Sequence, residues 1–361
     1  MKPGREFVGR LAVRSGLTCI AILAAAHAHA LTIDAGFESS ITSASDATTI
    51  ETAIDTAVDA IASLYSNPGT VSILFTTAPG NFLGESDSGL NVETYSTYVG
   101  QLGADSAANP SNTTLSTAIA NLPYGNDANG AKSIAATTAL LRVALGDTNV
   151  TPCFNASGSF VSGCGQTYDG VITLSSTQPL SYTRPVTAGS YDAIRVIEHE
   201  TDEVLGGGGA GSTLNAVANN SVPLSSFYGP LDLYRYSAPH TPSFTDSTTA
   251  TSYFSVDGGV TNIVGFNQNQ GLSLADYGDF GDFLSTTGCP DYVQDAFTCP
   301  DQQADETASS PEYQMMEAIG WDGGTDPVPE PMPLALLGAA IGGLALARSR
   351  PARRRAITTR T

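Results

Sequence analysis

Basic side chains are scarce in this chain, and where they fall decides what the protein is not. Its 361 residues hold 15 Lys and Arg against 35 Asp and Glu, a formal net charge of −20. Ten of the basic residues sit in the two ends: Lys2, Arg5, Arg10 and Arg14 at the start, and six after Glu330. Residues 31–330 keep only Lys132, Arg142, Arg184, Arg195 and Arg235. Such a body is repelled by phosphate backbones, which excludes a nucleic-acid role. Histidine is scarcer still, at four residues, and His27 and His29 lie in a segment that reads as removable. Cysteine is limited to Cys19, Cys153, Cys164, Cys289 and Cys299, with no C-x-x-C spacing, which argues against a cysteine-ligated zinc site. No internal repeat occurs.

The ends carry address signals. A basic region, an apolar stretch from Leu17 to Ala26 and the small-residue box Ala28-His-Ala30 form a secretory signal, with cleavage expected after Ala30. At the other end Val328-Pro-Glu-Pro331 precedes sixteen apolar or small residues, Met332 to Ala347, and a cluster of arginines from Arg348 to Arg355. This tail, residues 326–361, resembles the PEP-CTERM sorting signal of Gram-negative bacteria. The resemblance implies an exported protein held transiently in the inner membrane, handled by an exosortase-type enzyme, and delivered to the cell surface or released. In that oxidising setting the spacings of 11 and 10 suggest two local disulfides, Cys153–Cys164 and Cys289–Cys299.

The body, residues 31–325, is long enough for one large domain. Apolar residues at helical spacing predict a helix over Thr48–Tyr65, and Thr70–Thr76 reads as a strand. Further helices are expected over Tyr95–Leu102, Ser111–Leu122 and Ser133–Leu145, then a strand over Asp169–Ser175. After Gly206 the sequence turns to short strands and loops. A cap and first-turn proline at Ser310-Pro311 open a last helix that Gly320 closes before Trp321, which anchors it.

The chemistry concentrates in a helix starting near Ser190, which carries H-E-x-x-E: His199, Glu200 and Glu203. Positions i and i+4 stand on one helix face, so the imidazole and the Glu203 carboxylate can grip one metal ion. Glu200, one step round, can take a proton from a water on that ion. This is the H-E-x-x-H layout of zinc peptidases with its second His replaced by Glu. A third ligand is required. Gly209 stands where an extended metzincin motif places one, so the candidates are Asp232, a downstream carboxylate, and His240. Arg235, Tyr236 and Tyr234 are candidates to stabilise an oxyanion, although plain packing in a strand is the commoner role for the two tyrosines. Asp276, Asp279 and Asp282 offer oxygen ligands to a Ca2+ ion, an ordinary acidic loop being the competing reading. Met315 and Met316 read as core, with a floor beneath the metal as the alternative.

Five segments together resemble a group of bacterial metalloproteases that often carry PEP-CTERM tails. They are His199-Glu-Thr-Asp-Glu-Val-Leu-Gly206, Asp232-Leu-Tyr-Arg-Tyr-Ser-Ala-Pro239, Tyr253-Phe-Ser-Val-Asp-Gly-Gly259, Asp276-Tyr-Gly-Asp-Phe280 and Met316-Glu-Ala-Ile-Gly-Trp-Asp322. The likeness covers most of the body and is densest from 190 to 322. It implies an α+β zincin-like domain with a mixed sheet, a Zn2+ cofactor and hydrolysis of protein or peptide substrates. The H-E-x-x-E form is usual in that group, and its members carry glycine at position 240, which implies Asp232 as third ligand. The alternative expectation is a non-catalytic cell-surface or matrix protein that keeps the scaffold.

Overall fold

Alternating apolar residues build the sheet at the centre of this computed structural model, which describes residues 31–123, 133–224, 227–273, 277–285, 289 and 292–324. Strand β1 (Leu31–Phe37) pairs in parallel with β2 (Gly69–Ala78), and β2 in parallel with β6 (Gly170–Ser175). Strand β3 (Gly84–Ser88) closes the far edge, antiparallel to β6. Val71, Ile73 and Phe75 of β2, with Ile172 and Leu174 of β6, point into the main core. Leu74 and Val171, one residue out of phase, pack with Phe154 on the opposite face. That period of two is the pleat of a sheet covered on both sides.

Two helices lie side by side on the main-core face. After the single turn α1 (Ser39–Thr42), helix α2 (Ala47–Leu64) makes the crossover from β1 to β2 and buries Ile50, Ile54, Val58 and Ile61, the residues spaced for one helical face. Helix α5 (Ala193–Leu205) packs beside it, over β6 and β3. Between them in the chain run α3 (Tyr95–Ala108) and α4 (Thr113–Ala120). A second sheet joins β4 (Leu90–Thr94), β5 (Ser133–Thr137) and β9 (Phe227–Tyr228), and a third joins β10 (Arg235–Ala238), β11 (Thr241–Pro242), β12 (Ser252–Phe254) and β13 (Val264–Phe266). Leu180–Ser181 (β7) pairs in parallel with Tyr191–Asp192 (β8) just before α5. Helix α6 (Leu214–Ala218) is short, and α7 (Pro311–Ile319) ends the described fold with proline in its first turn and Gly320 in a left-handed cap.

The molecule is therefore a mixed α+β structure with mixed sheets. One expected element differs. Ser133–Leu145 is not a single helix: Ser133–Thr137 is a strand and Leu140–Ala144 a short π-helix, with the Thr137 hydroxyl accepting from the Leu140 N–H. Alanine-rich sequence favours a helix locally, but pairing with β4 and β9 outweighs that preference. Cys153 pairs with Cys164 and Cys289 with Cys299. No helix among the described residues is long and apolar enough to cross a membrane. Residues 1–30, expected to be a secretory segment, the expected sorting tail 326–361 and Asp276 lie outside the described residues.

Trp321 links the fold to the site. Its ring is fully buried, and its indole N–H donates to the Leu205 carbonyl at 3.0 Å, serving one of the carbonyls left open at the end of α5. Met315 and Met316 are buried core residues beneath the glycines that follow that helix.

Candidate metal centre

Helix α5 is held at both ends and buried nearly all round. Asp192 caps its start by accepting from the Ile194 N–H, and Gly206 ends it at φ 103°, a conformation costly for any side chain with a Cβ. Of its thirteen residues only His199 is not fully buried, so four acidic side chains, Glu198, Glu200, Asp202 and Glu203, are carried into the interior.

His199, Glu203 and Asp282 converge. One donor atom from each lies within 4.8 Å of the other two. The His199 Nε2 stands 3.8 Å from Glu203 Oε1 and 3.7 Å from Asp282 Oδ2. The other ring nitrogen, Nδ1, lies 3.0 Å from the Val293 carbonyl. A carbonyl only accepts, so Nδ1 carries a hydrogen and Nε2 is the nitrogen turned toward the two carboxylates, the usual setting of a metal-ligating imidazole. Glu203 is fixed as well: Ser86 Oγ donates to Oε2 at 2.6 Å and the Gly209 N–H to Oε1 at 2.9 Å. Gly209, the position where an extended motif would place a ligand, thus orients a candidate ligand instead.

Glu200 sits beside them under β3. A Cβ at Gly84 would lie 2.7 Å from the Glu200 Cγ and Oε1, so the edge strand passes over the carboxyl at a distance only glycine permits. Burial, and then the charges of Glu203, Asp279 and Asp282, hold the Glu200 carboxyl well above its usual range. Burial and Glu203 push Asp279 up to about 8, and Asp282 is raised by burial, Asp279 and Glu203. Carboxyls gathered around one imidazole are a donor set that a divalent cation would relieve, and the fit to a metal rests on that together with the direction of Nε2. All of these groups line a cleft of about 520 Å³ that also includes Asn81, Phe82, Tyr277 and Phe297.

The other sequence candidates lie elsewhere. Asp232 does not join the group: its carboxylate accepts from Ser212 Oγ (2.6 Å), the Thr213 N–H (3.0 Å) and the Gly229 N–H (2.7 Å), with Arg235 Nε at 3.9 Å. It is spent holding a loop. His240 is exposed at φ 57° in the turn from β10 to β11. The Arg235 guanidinium is buried, stacks 4.0 Å over Phe266 and donates to Ser252 and the Phe280 carbonyl. Tyr236 donates to the Asn121 carbonyl, and Tyr234 packs edge-on against Phe254. None of Asp232, Tyr234, Arg235, Tyr236 and His240 lines the cleft. Asp279 and Asp282, for which the sequence favoured an ordinary acidic loop over a Ca2+ site, face the α5 site. Their oxygen-rich spacing was the available signal, and nothing in it pointed to His199.

The opposite side of α5 buries a second carboxyl group. Glu198 accepts from the Glu306 N–H, and Tyr65 donates to Glu306 Oε1 at 2.7 Å. Asp202 meets Glu306 there as a buried carboxyl pair, and burial and then the Glu306 charge hold Asp202 well above its usual range. Burial lifts Glu306 to about 7 from 4.5. A carboxyl with a raised folded-state value costs nothing below about 4.5, destabilises progressively as pH rises toward about 7, and levels off above. Glu306→Gln is expected to remove that loss, worth on the order of 3 kcal/mol. Thermal unfolding from pH 4.5 to 8 reads it: the variant's midpoint gains on wild type as pH rises, whereas parallel curves contradict the assignment.

No protein-family model, no curated protein and no solved structure matches this chain.

Proposed function

We propose that this chain is an exported zinc-dependent peptidase on a zincin-like α+β scaffold, with His199, Glu203 and Asp282 as ligands and Glu200 as general base. The observation that carries the reading is the convergence of those three donors, beside Glu200, at the floor of an open cleft. A divalent ion held there supplies Lewis acidity, polarising a carbonyl and acidifying water. The remaining work belongs to side chains. Glu200 takes the proton of the attacking water and returns it to the departing amine, the ordinary exchange for a positioned carboxylate. Ser86 and the Gly209 N–H keep Glu203 in place, and the Val293 carbonyl keeps the ring of His199.

The substrate class follows from β3. Among the described residues it is the outer strand of its sheet and pairs only with β6, and its residues Gly84 to Asp87 line the cleft. An extended peptide can add to such an edge by main-chain hydrogen bonds, which lays its carbonyls across the site. Donors for an oxyanion come from the cleft wall, where Tyr277 and Asn81 stand, rather than from Arg235, Tyr234 or Tyr236. Two disulfides support an oxidising location, in keeping with the secretory segment and the PEP-CTERM-like tail. The purified full chain is expected to cleave casein, to lose that activity on dialysis against a chelator, and to regain it with Zn2+. Cleavage that persists in chelator overturns the reading.

A further inference from the structure

Gln294 belongs to no motif, yet its side chain reaches the metal centre from behind the cleft. The residue is fully buried. Its backbone is pinned on both sides, the N–H donating to Glu312 Oε1 at 3.1 Å and the carbonyl accepting from the Phe283 N–H at 2.8 Å. The amide nitrogen lies 3.1 Å from Asp282 Oδ1 and 3.3 Å from His199 Nε2. Two features of this placement are unusual. The N–H groups are aimed at donor atoms of two candidate ligands, so the amide stands in for a cation. Meanwhile the amide oxygen, Oε1, is buried without a hydrogen-bond partner, a costly state for an acceptor.

The spacing supplies the explanation. Donors arranged around one ion at bond lengths of about 2.0–2.2 Å stand roughly 3.2–3.6 Å apart. The end of the Gln294 amide is already that far from His199 Nε2, and marginally closer to Asp282. The nitrogen and oxygen of a carboxamide are nearly equal in size, so a half-turn of the amide exchanges them without disturbing the packing. We propose that Gln294 is a fourth protein donor to the cation, its amide turned to present Oε1 when an ion is held by His199, Glu203 and Asp282. This rests on the metal-site reading above. The resulting set is one imidazole, two carboxylates and one neutral amide oxygen. The amide adds a ligand without adding charge, so the ion keeps more of its Lewis acidity than a third carboxylate would leave it. Such oxygen-rich sets also favour hard ions such as Mn2+ more than three-imidazole sites do.

Metal affinity and coordination are the readouts, measured on the full chain with Zn2+ and Co2+ by competition with a chromogenic chelator. Gln294→Ala is expected to weaken both ions by more than the roughly 10- to 100-fold typical of losing an outer contact and to change the visible absorption of bound Co2+, as loss of a ligand does. Gln294→Glu is expected to bind at least as tightly as wild type. Gln294→Met, which fills the volume without an oxygen donor, replaces the alanine variant should that one fail to fold, and is expected to behave like it. Unchanged or tighter binding by Gln294→Ala or Gln294→Met, with an unchanged Co2+ spectrum, overturns the proposal and makes the amide a competitor for the ligands. A wild-type chain that binds neither ion instead overturns the metal-site reading itself.

Discussion

Glu200→Gln is expected to lower casein cleavage by between about 100- and 10,000-fold while the bound ion stays in place. The substitution keeps the shape of the side chain, which matters because β3 crosses it at a separation that admits no Cβ at Gly84. It removes the proton acceptor, leaves the contacts that hold His199 and Asp282, and puts an amide in place of the carboxyl that hydrogen-bonds Glu203. It also removes one of the acidic groups crowded into the buried floor, so the fold is expected to be as stable as wild type or more so. Kinetics alone cannot separate a lost base from a lost metal, so metal content and unfolding midpoint belong in the same experiment. Wild-type cleavage by Glu200→Gln, with metal retained, removes Glu200 from the mechanism. Bound metal with no cleavage by either protein favours the other expectation, a surface or matrix protein that keeps the scaffold without turnover.

The helical part of the site was legible in the sequence because its residues are local. His199, Glu200 and Glu203 occupy one turn, and a 3.6-residue period alone brings them together. Asp282 was not legible as their partner, since the fold, not the spacing, carries residues 277–285 back to α5. Asp232 was the plausible substitute from chain order, but four hydrogen-bond donors and Arg235 already occupy its carboxylate. Gln294 offered no signal, being an amide in a loop. The fold divides in the same way. Helix α2 and strands β2 and β6 announce themselves through apolar periodicity. Gly84-Glu-Ser-Asp-Ser88 does not, because an edge strand over a polar helix face has no apolar residues to alternate. Likewise α5 has one apolar face and one broad polar arc, and nothing in the sequence distinguishes the part of that arc toward the cleft from the part carrying Glu198 and Asp202 toward Glu306.

The sharpest division between the two ligand sets lies at Asp282 and Asp232. Removing one of three protein ligands is expected to cost more than the roughly 10- to 100-fold typical of an outer contact, enough to strip the ion during dialysis. Asp282→Ala takes away a carboxylate whose oxygens stand within reach of His199 Nε2 and the Gln294 amide. Asp232→Asn alters a carboxylate that tethers Ser212, Thr213 and Gly229, so its effect falls on stability. Elemental analysis of the dialysed full-length proteins decides the matter. About one divalent ion per chain in wild type and in folded Asp232→Asn, with little or none in folded Asp282→Ala, is the predicted result. A full complement of metal in Asp282→Ala, or its loss in Asp232→Asn, would contradict the account.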